Sequence, residues 1–136
     1  MDRNVDLFAD VAAALFRRLQ AAFPIPVDIE IDQLADAGMP EADPIGATRE
    51  AFVEASIHWL GAAGIVTFEA GQMGARMIER VGLTASGFLS LQSGHGGDDT
   101  IGAALDREPA PAERRSLVTQ ALAAAGRTFR SVRPER

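Results

Sequence analysis

A helix-length apolar stripe that stops at two prolines is the feature that most constrains how this chain can fold. Between residues 5 and 23 the apolar side chains recur mostly at spacings of three and four, which predicts one amphipathic helix. Pro24 and Pro26 end it, because proline lacks the backbone N–H that a helix needs and clashes with the preceding turn. Residues 27–32 then alternate strictly between apolar and acidic side chains, which predicts a short half-buried strand.

The next segments predict a second and a third helix. A short helix over 32–37 would have Asp32 as its N-cap and Gly38 just beyond its end. A turn-rich stretch over 39–46 leads into a longer helix at 47–63, whose two neighbouring apolar stripes indicate packing on two sides. Gly64 supplies the stop, because glycine allows the chain to reverse in a left-handed conformation.

A β-hairpin is predicted after Gly64. Residues 65–69 and 77–83 have strand character, and two glycines lie in the turn at 70–74 between them. Thr84 is the predicted N-cap of a following helix, with Phe88, Leu89 and Leu91 as its buried residues.

The composition changes at residue 93. Residues 93–100 (SGHGGDDT) are rich in glycine and polar side chains and predict a linker, in which Asp98 or Asp99 would cap the next helix. A short helix is predicted at 99–106 and an amphipathic one at 112–129, before a frayed tail. We therefore divide the chain into a domain at 1–92, a linker at 93–100 and a C-terminal helical extension at 101–136.

Two half-motifs resemble bacterial winged helix-turn-helix proteins of the MarR and PadR groups. Residues 58–66 (HWLGAAGIV) match a third helix that ends in W-L-x-x-x-G and two apolar residues, and residues 83–91 match L-T-x-x-G-x-x-x-L after the wing. Residues 23–27 (FPIPV) are similar to short, uncharacterised winged-helix proteins of bacterial genomes and mobile elements. The resemblance covers residues 5–92 and implies a mostly helical α+β fold, a winged helix-turn-helix with a C-terminal helical extension.

The resemblance also implies a small bacterial transcriptional regulator that binds duplex DNA as a homodimer. In such proteins the third helix enters the major groove and the wing contacts phosphate or the minor groove, so the candidate contacts are Arg49, Arg76 and Arg80. Related proteins dimerise through terminal helices. The candidate dimer interface comprises four residues at helical spacing on the last helix: Val118, Leu122, Ala125 and Phe129.

The distribution of charge opposes broad attraction to nucleic acid. The 136-residue chain has a net charge of −6; residues 1–92 hold 13 acidic and 6 basic side chains, and residues 93–136 hold 6 and 7. Because phosphate neutralisation supplies most non-specific affinity, the acidic region favours an alternative, a protein–protein interaction module that binds a basic partner. That acidic surface comprises Asp28, Glu30, Asp32, Asp36, Glu41 and Asp43. The arginines of the last helix could meet an acidic region of their own or of a partner chain.

Other chemistry-bearing residues have simpler interpretations. Trp59 is predicted to be a core residue that seats the third helix on the first, the alternative being the cover of a ligand pocket, and His58 to be a partly buried histidine satisfied by backbone. The serine, histidine and carboxylates of 93–99 lie in a flexible composition unsuited to catalysis. With no cysteine and no nucleophile–base pair or phosphate loop, we expect no enzyme activity, cofactor or metal site.

The chain is expected to be cytoplasmic. Acidic residues are spread through its first ten positions, whereas a secretory signal would have a basic start followed by an uninterrupted apolar stretch. Its most apolar segment, 55–68, is interrupted by polar residues and too short to cross a bilayer, so no membrane association is predicted.

Overall fold

A computed structural model describes residues 3–38, 49–69, 76–96 and 99–132 of the chain. The expected mostly helical α+β class is confirmed within these ranges, which contain six helices and five short strands. In chain order the elements are α1 (Arg3–Ala22), β1 (Val27–Glu30), α2 (Ile31–Gly38), α3 (Arg49–Ala62), β2 (Val66–Thr67), β3 (Met77–Leu83), α4 (Ala85–Leu91), β4 (Gly94–Gly96), β5 (Asp99–Thr100), α5 (Ile101–Asp106) and α6 (Pro111–Val132). The predicted turns at 39–46 and 70–74 and tail residues 133–136 lie outside the described residues.

The first strand passes directly into the second helix. Ile31 begins α2, so Asp32 lies in the first turn of the helix and is not its N-cap. At the other end Gly38 is the last residue of the helix, not the residue beyond it, so both predicted boundaries are corrected. The Ile31 N–H donates to the Arg76 carbonyl at 2.9 Å, which extends the strand pairing up to the first helical residue. Ile29 and Ile31 are both buried, and they anchor this junction in the core.

The three strands β1, β3 and β2 form one antiparallel sheet in that spatial order. The pairs Val27↔Val81 and Ile29↔Ile78 leave one additional residue on β3, which makes a β-bulge. Arg80 lies in the bulge with a φ of 57°, a left-handed conformation that is uncommon for a residue other than glycine. The bulge is held by the side chain of Asp28, whose Oδ1 accepts from the Arg80 N–H at 3.1 Å.

Gly64 ends the third helix as its sequence position predicts. Its φ is 82°, and its N–H donates to the Gly61 carbonyl at 3.0 Å. The Ile65 N–H donates to the Leu60 carbonyl, also at 3.0 Å, which completes a Schellman motif. Ile65 and Leu60 are both buried, so the motif fixes the angle at which the chain leaves α3 for β2.

Gly64→Ala is expected to lower the free energy of unfolding by about 1 kcal/mol, because a Cβ is disfavoured at positive φ. Gly94→Ala is the matched control, since an added Cβ meets nothing within 4 Å at either glycine and only Gly64 has a left-handed backbone. Urea denaturation of the two variants measures the difference. Equal losses would show that the left-handed conformation is not what Gly64 provides.

Thr84 caps α4 and also ties it to the end of α3. Its hydroxyl accepts from the Gly87 N–H at 3.0 Å, as the predicted N-cap requires, and donates to the Gly64 carbonyl at 2.6 Å. Of the three residues predicted to be buried in α4, Leu91 is buried. The other two correct the prediction: Phe88 is half-buried and stacks on Phe23 with ring centroids 4.1 Å apart, and Leu89 is 51% exposed.

The described residues of the predicted linker, 94–96 and 99–100, form two paired strands. β4 and β5 pair antiparallel, and the Ile101 N–H donates to the Ser93 carbonyl at 2.9 Å, which closes the hairpin. Thr100 is the N-cap of α5, because its hydroxyl accepts from the Ala103 N–H at 3.0 Å. Asp99 therefore does not cap the helix; it pairs with Arg107. The other predicted cap, residue 98, lies outside the described residues.

The C-terminal helices share the hydrophobic core of the rest of the chain. α5 packs against α1, and α6 packs against both α1 and α4. The buried side chains of Ile101, Leu105, Leu117 and Val118 belong to one cluster with those of α1 and α3, including Phe16. The segment predicted as a C-terminal extension thus covers apolar side chains of α1 and belongs to the same hydrophobic core.

A buried ion cluster, Asp10 with Arg114 and Arg115, fastens α6 to α1. The Asp10 side chain is 5% exposed, and its two oxygens accept four hydrogen bonds of 2.9–3.2 Å from the two guanidiniums. The hydrogen bonds to Asp10 raise the pKa of Arg115, outweighing the partial burial that would lower it, and Asp6 adds a smaller attraction. Two arginines of the last helix, Arg114 and Arg115, thus contact acidic residues of the chain's own first helix; the side chains of the helix's other arginines lie outside those described.

Candidate functional site

The arginines predicted to contact DNA lie on two different elements. Arg49 is half-buried in the first turn of α3. Arg76 and Arg80 are exposed, the first just before β3 and the second in its bulge. Arg76 and Arg80 therefore lie four residues apart along one strand segment, whereas Arg49 belongs to a separate helix.

Carboxylates lie beside both Arg76 and Arg80. The Arg80 Nε lies 3.1 Å from an oxygen of Glu69, and the two side chains are 64% and 58% exposed. Arg76 lines a small cavity of about 200 Å³ together with Glu30 and Asp32. Arg80 is thus ion-paired with a carboxylate, and Arg76 has two carboxylates in the same cavity lining.

Five exposed carboxylates surround these two arginines, and we call them the acidic face. Two lie on β1 (Asp28 and Glu30), and one lies in the first turn of α2 (Asp32). The other two are Glu69, two residues after the end of β2, and Glu79 on β3. Of the other residues predicted for an acidic surface, Glu41 and Asp43 lie outside the described residues, and Asp36 is described in its backbone only. With Arg76 and Arg80 included, this surface has an excess of negative charge.

The exposed side of α3 is apolar rather than basic. Ala51, Ala55, Trp59 and Ala62 are exposed at helical spacing, while Val53, Ile57 and Leu60 face the core as predicted. Glu50 adds a negative charge beside this stripe. The helix that would enter a DNA groove thus presents few groups able to bind phosphate or base edges.

Trp59 corrects the prediction of a core residue. Its ring meets Phe8 of α1 edge-on with centroids 5.2 Å apart, as expected for a residue that seats α3 on α1, yet its side chain is 53% exposed. His58 is half-buried and packs edge-on against Phe68, with ring centroids 5.0 Å apart.

Trp59 forms one wall of a groove of about 500 Å³ between α1, α3 and α6. We call it the α1/α3/α6 groove and define it by six residues: Val5, Phe8, Phe52, Ala55, Trp59 and Leu122. A tryptophan that covers a pocket was the alternative interpretation of Trp59. No local pattern in the sequence, however, indicates that three helices leave a gap here. Their separation depends on tertiary packing.

The four α6 residues predicted to form a dimer interface have different surroundings. Val118 and Ala125 are buried within the chain's own core, so their side chains have no surface left to offer a second copy in this fold. Leu122 is half-buried and lines the α1/α3/α6 groove, and the Phe129 side chain lies outside those described.

Within the described ranges, no group of three or more histidine and carboxylate side chains could hold a metal ion. The side chain of His95 and residues 97–98, in the polar run after α4, lie outside the described parts. No described helix combines the length and apolar character needed to cross a membrane.

No protein-family model, curated protein or solved structure matches this chain. Its functional interpretation therefore depends on the residues and geometry described above.

Proposed function

We propose that this chain is a winged helix-turn-helix domain with a C-terminal helical extension, and that it acts as a protein–protein interaction module rather than as a DNA-binding regulator. The fold assignment is supported by the order α1–β1–α2–α3–β2–β3–α4 and by the sheet order β1–β3–β2, which puts the predicted wing strand β3 at the centre. Because a fold does not fix a function, the charged groups on the surface determine which partner the chain can bind.

The acidic face carries the functional part of the proposal. Glu69 and Asp28 are engaged by Arg80, which leaves the exposed carboxylates of Glu30, Asp32 and Glu79 with Arg76 as the nearby cation. A surface of this sign repels phosphate and attracts a basic protein segment. The partner favoured by this chemistry is therefore an arginine- or lysine-rich protein surface.

The proposal predicts opposite results for two labelled probes at low salt. The full chain is expected to bind a fluorescein-labelled oligoarginine peptide, measured by fluorescence anisotropy, and to leave a labelled mixed-sequence DNA duplex unbound. Glu79→Arg is expected to weaken peptide binding roughly tenfold, an effect that rising salt removes by screening.

Glu50→Arg is the matched control, because it changes the net charge equally at an exposed position of α3 outside the acidic face. Equal weakening by both variants would show that net charge alone is measured, and would contradict a localised binding surface. Saturable binding of the duplex that weakens on Arg76→Ala would overturn the proposal in favour of the DNA-binding regulator.

A further inference from the structure

The α1/α3/α6 groove lies apart from the acidic face and has a different character. None of the eleven described residues that line it has an ionisable side chain, although the chain as a whole has a net charge of −6. An ionic group placed in the groove would lose hydration without gaining a counter-charge from this lining. The groove is therefore suited to an uncharged occupant.

The dimensions of the groove favour a small molecule over a protein partner. Its volume of about 500 Å³ lies within the roughly 300–1,000 Å³ typical of small-molecule sites. Its exposed lining falls far short of the roughly 800 Å² per partner that a stable protein interface buries. A second copy of the chain would therefore need contacts well beyond the groove.

The walls of the groove are aromatic and are already held in place. Phe8 and Trp59 meet edge-on at an interplanar angle of 79°, and Phe52 contributes a third ring. The Asp10 ion cluster fixes α6 against α1. Such rings offer faces and edges on which a flat aromatic ligand can stack at little cost in reorganisation.

Three polar side chains in the lining determine the polar complement of such a ligand: the exposed amide of Asn4, which can both donate and accept, and two hydroxyl groups. Ser56 Oγ donates to the Phe52 carbonyl at 2.8 Å, and Thr119 Oγ1 donates to the Arg115 carbonyl at 3.1 Å. Both residues line the groove, and each hydroxyl has only one hydrogen, so what the two hydroxyls leave to a ligand is the acceptor capacity of their oxygens. A ligand N–H or O–H can use that capacity.

From these observations we infer that the α1/α3/α6 groove binds an uncharged aromatic small molecule that carries a hydrogen-bond donor. The inference does not depend on the proposed protein partner, because the two surfaces share no residue.

Two fluorescent probes with the same ring system test the inference. N-phenyl-1-naphthylamine is uncharged and has one N–H, and 8-anilino-1-naphthalenesulfonate adds a sulfonate. Trp59 is the only tryptophan and the chain has no tyrosine, so quenching of its emission reports a probe bound within energy-transfer range of Trp59, and a variant of the groove lining is needed to place that probe. The uncharged probe is expected to saturate at one site per chain and quench Trp59, with the sulfonated probe bound roughly tenfold more weakly.

Ala55→Leu locates the bound probe. Position 55 is exposed in the groove, so a larger side chain fills the space without entering the core, and binding of the uncharged probe is expected to fall roughly tenfold. Leu89→Ala is the control, an apolar change at a 51% exposed position on α4 outside the groove lining, and is expected to leave binding unchanged.

Three results would overturn the inference: no saturable binding of the uncharged probe, equal affinity for the sulfonated probe, or equal affinity in the Ala55→Leu variant. Sedimentation equilibrium supplies a fourth test. A dimer that Ala55→Leu dissociates would assign the groove to a second copy of the chain instead.

Discussion

Replacing both Arg114 and Arg115 by alanine is expected to lower the free energy of unfolding by about 3–5 kcal/mol. The variant would leave the carboxylate of Asp10, only 5% exposed, between α1 and α6 without the two guanidiniums that now donate four hydrogen bonds to it. The two arginine side chains are 31% and 35% exposed and keep part of their hydration, so most of the free-energy cost of desolvation falls on the Asp10 carboxylate. Urea denaturation followed by circular dichroism measures the loss, because urea is uncharged and does not screen the ion pairs.

A second substitution, Asp10→Asn, distinguishes the cost of an unpaired buried charge from an ordinary loss of packing, because the sign of its effect on the free energy of unfolding differs between the two cases. Asp10→Asn is expected to destabilise the parent chain, because it weakens the bonds to both arginines. In the Arg114→Ala/Arg115→Ala background the same change is expected to restore stability, because it removes an unpaired buried charge. A further loss in that background would contradict this explanation.

Arg17→Ala is the control for the removal of an ion-paired arginine. Its partner Glu108 lies at 3.3 Å with a side chain that is 74% exposed, so water can solvate the carboxylate after the change. We expect a loss of no more than about 1 kcal/mol.

The parts of the fold that the sequence predicted are those determined by local chemistry. Gly64 permits a left-handed backbone and Thr84 satisfies an orphan N–H, and both effects act within a few residues, so helix ends could be located from the sequence. The apolar stripe of α1 likewise places Leu15, Phe16 and Leu19 in the core.

The misassigned parts depend on contacts between distant segments. The glycine-rich run after α4 predicted a linker, but its described residues form the strands β4 and β5, which pair. The Ile101 N–H donates to the Ser93 carbonyl and so joins the residues that flank the two strands. Trp59 has the spacing of a core residue, but it lines the groove between α1, α3 and α6 and is 53% exposed. The partner of Asp10 lies 104 and 105 residues away, a pairing that charge composition alone cannot specify.

The same dependence on distant contacts governs the α1/α3/α6 groove. Two of its lining residues, Ala9 and Ala55, are alanines of a kind that occurs in any helix. They line a groove only because α1, α3 and α6 pack around it. The acidic face, in contrast, was predictable in part, because alternation along β1 determines that Asp28 and Glu30 point away from the buried Ile29.

Gly87→Ala is expected to lower the free energy of unfolding by about 3 kcal/mol, although alanine is the better helix former. A Cβ at this position would lie 2.2 Å from the Ile65 carbonyl oxygen, and that oxygen accepts the Thr84 N–H at 3.0 Å, so backbone rather than a movable side chain blocks the methyl group. Accommodating it requires α4 to move away from the chain between α3 and β2, where the capping contacts of Thr84 meet. Thermal and urea denaturation measure the loss.

Gly126→Ala separates this steric effect from helix propensity. Gly126 also lies within a helix, α6, but an added Cβ there meets nothing within 4 Å. The substitution is expected to raise stability by up to about 1 kcal/mol. Opposite signs at the two glycines would mean that the close approach of α4 to the backbone at Ile65, and not helix propensity, determines the effect of the added methyl group. Stabilisation by both substitutions would refute that packing.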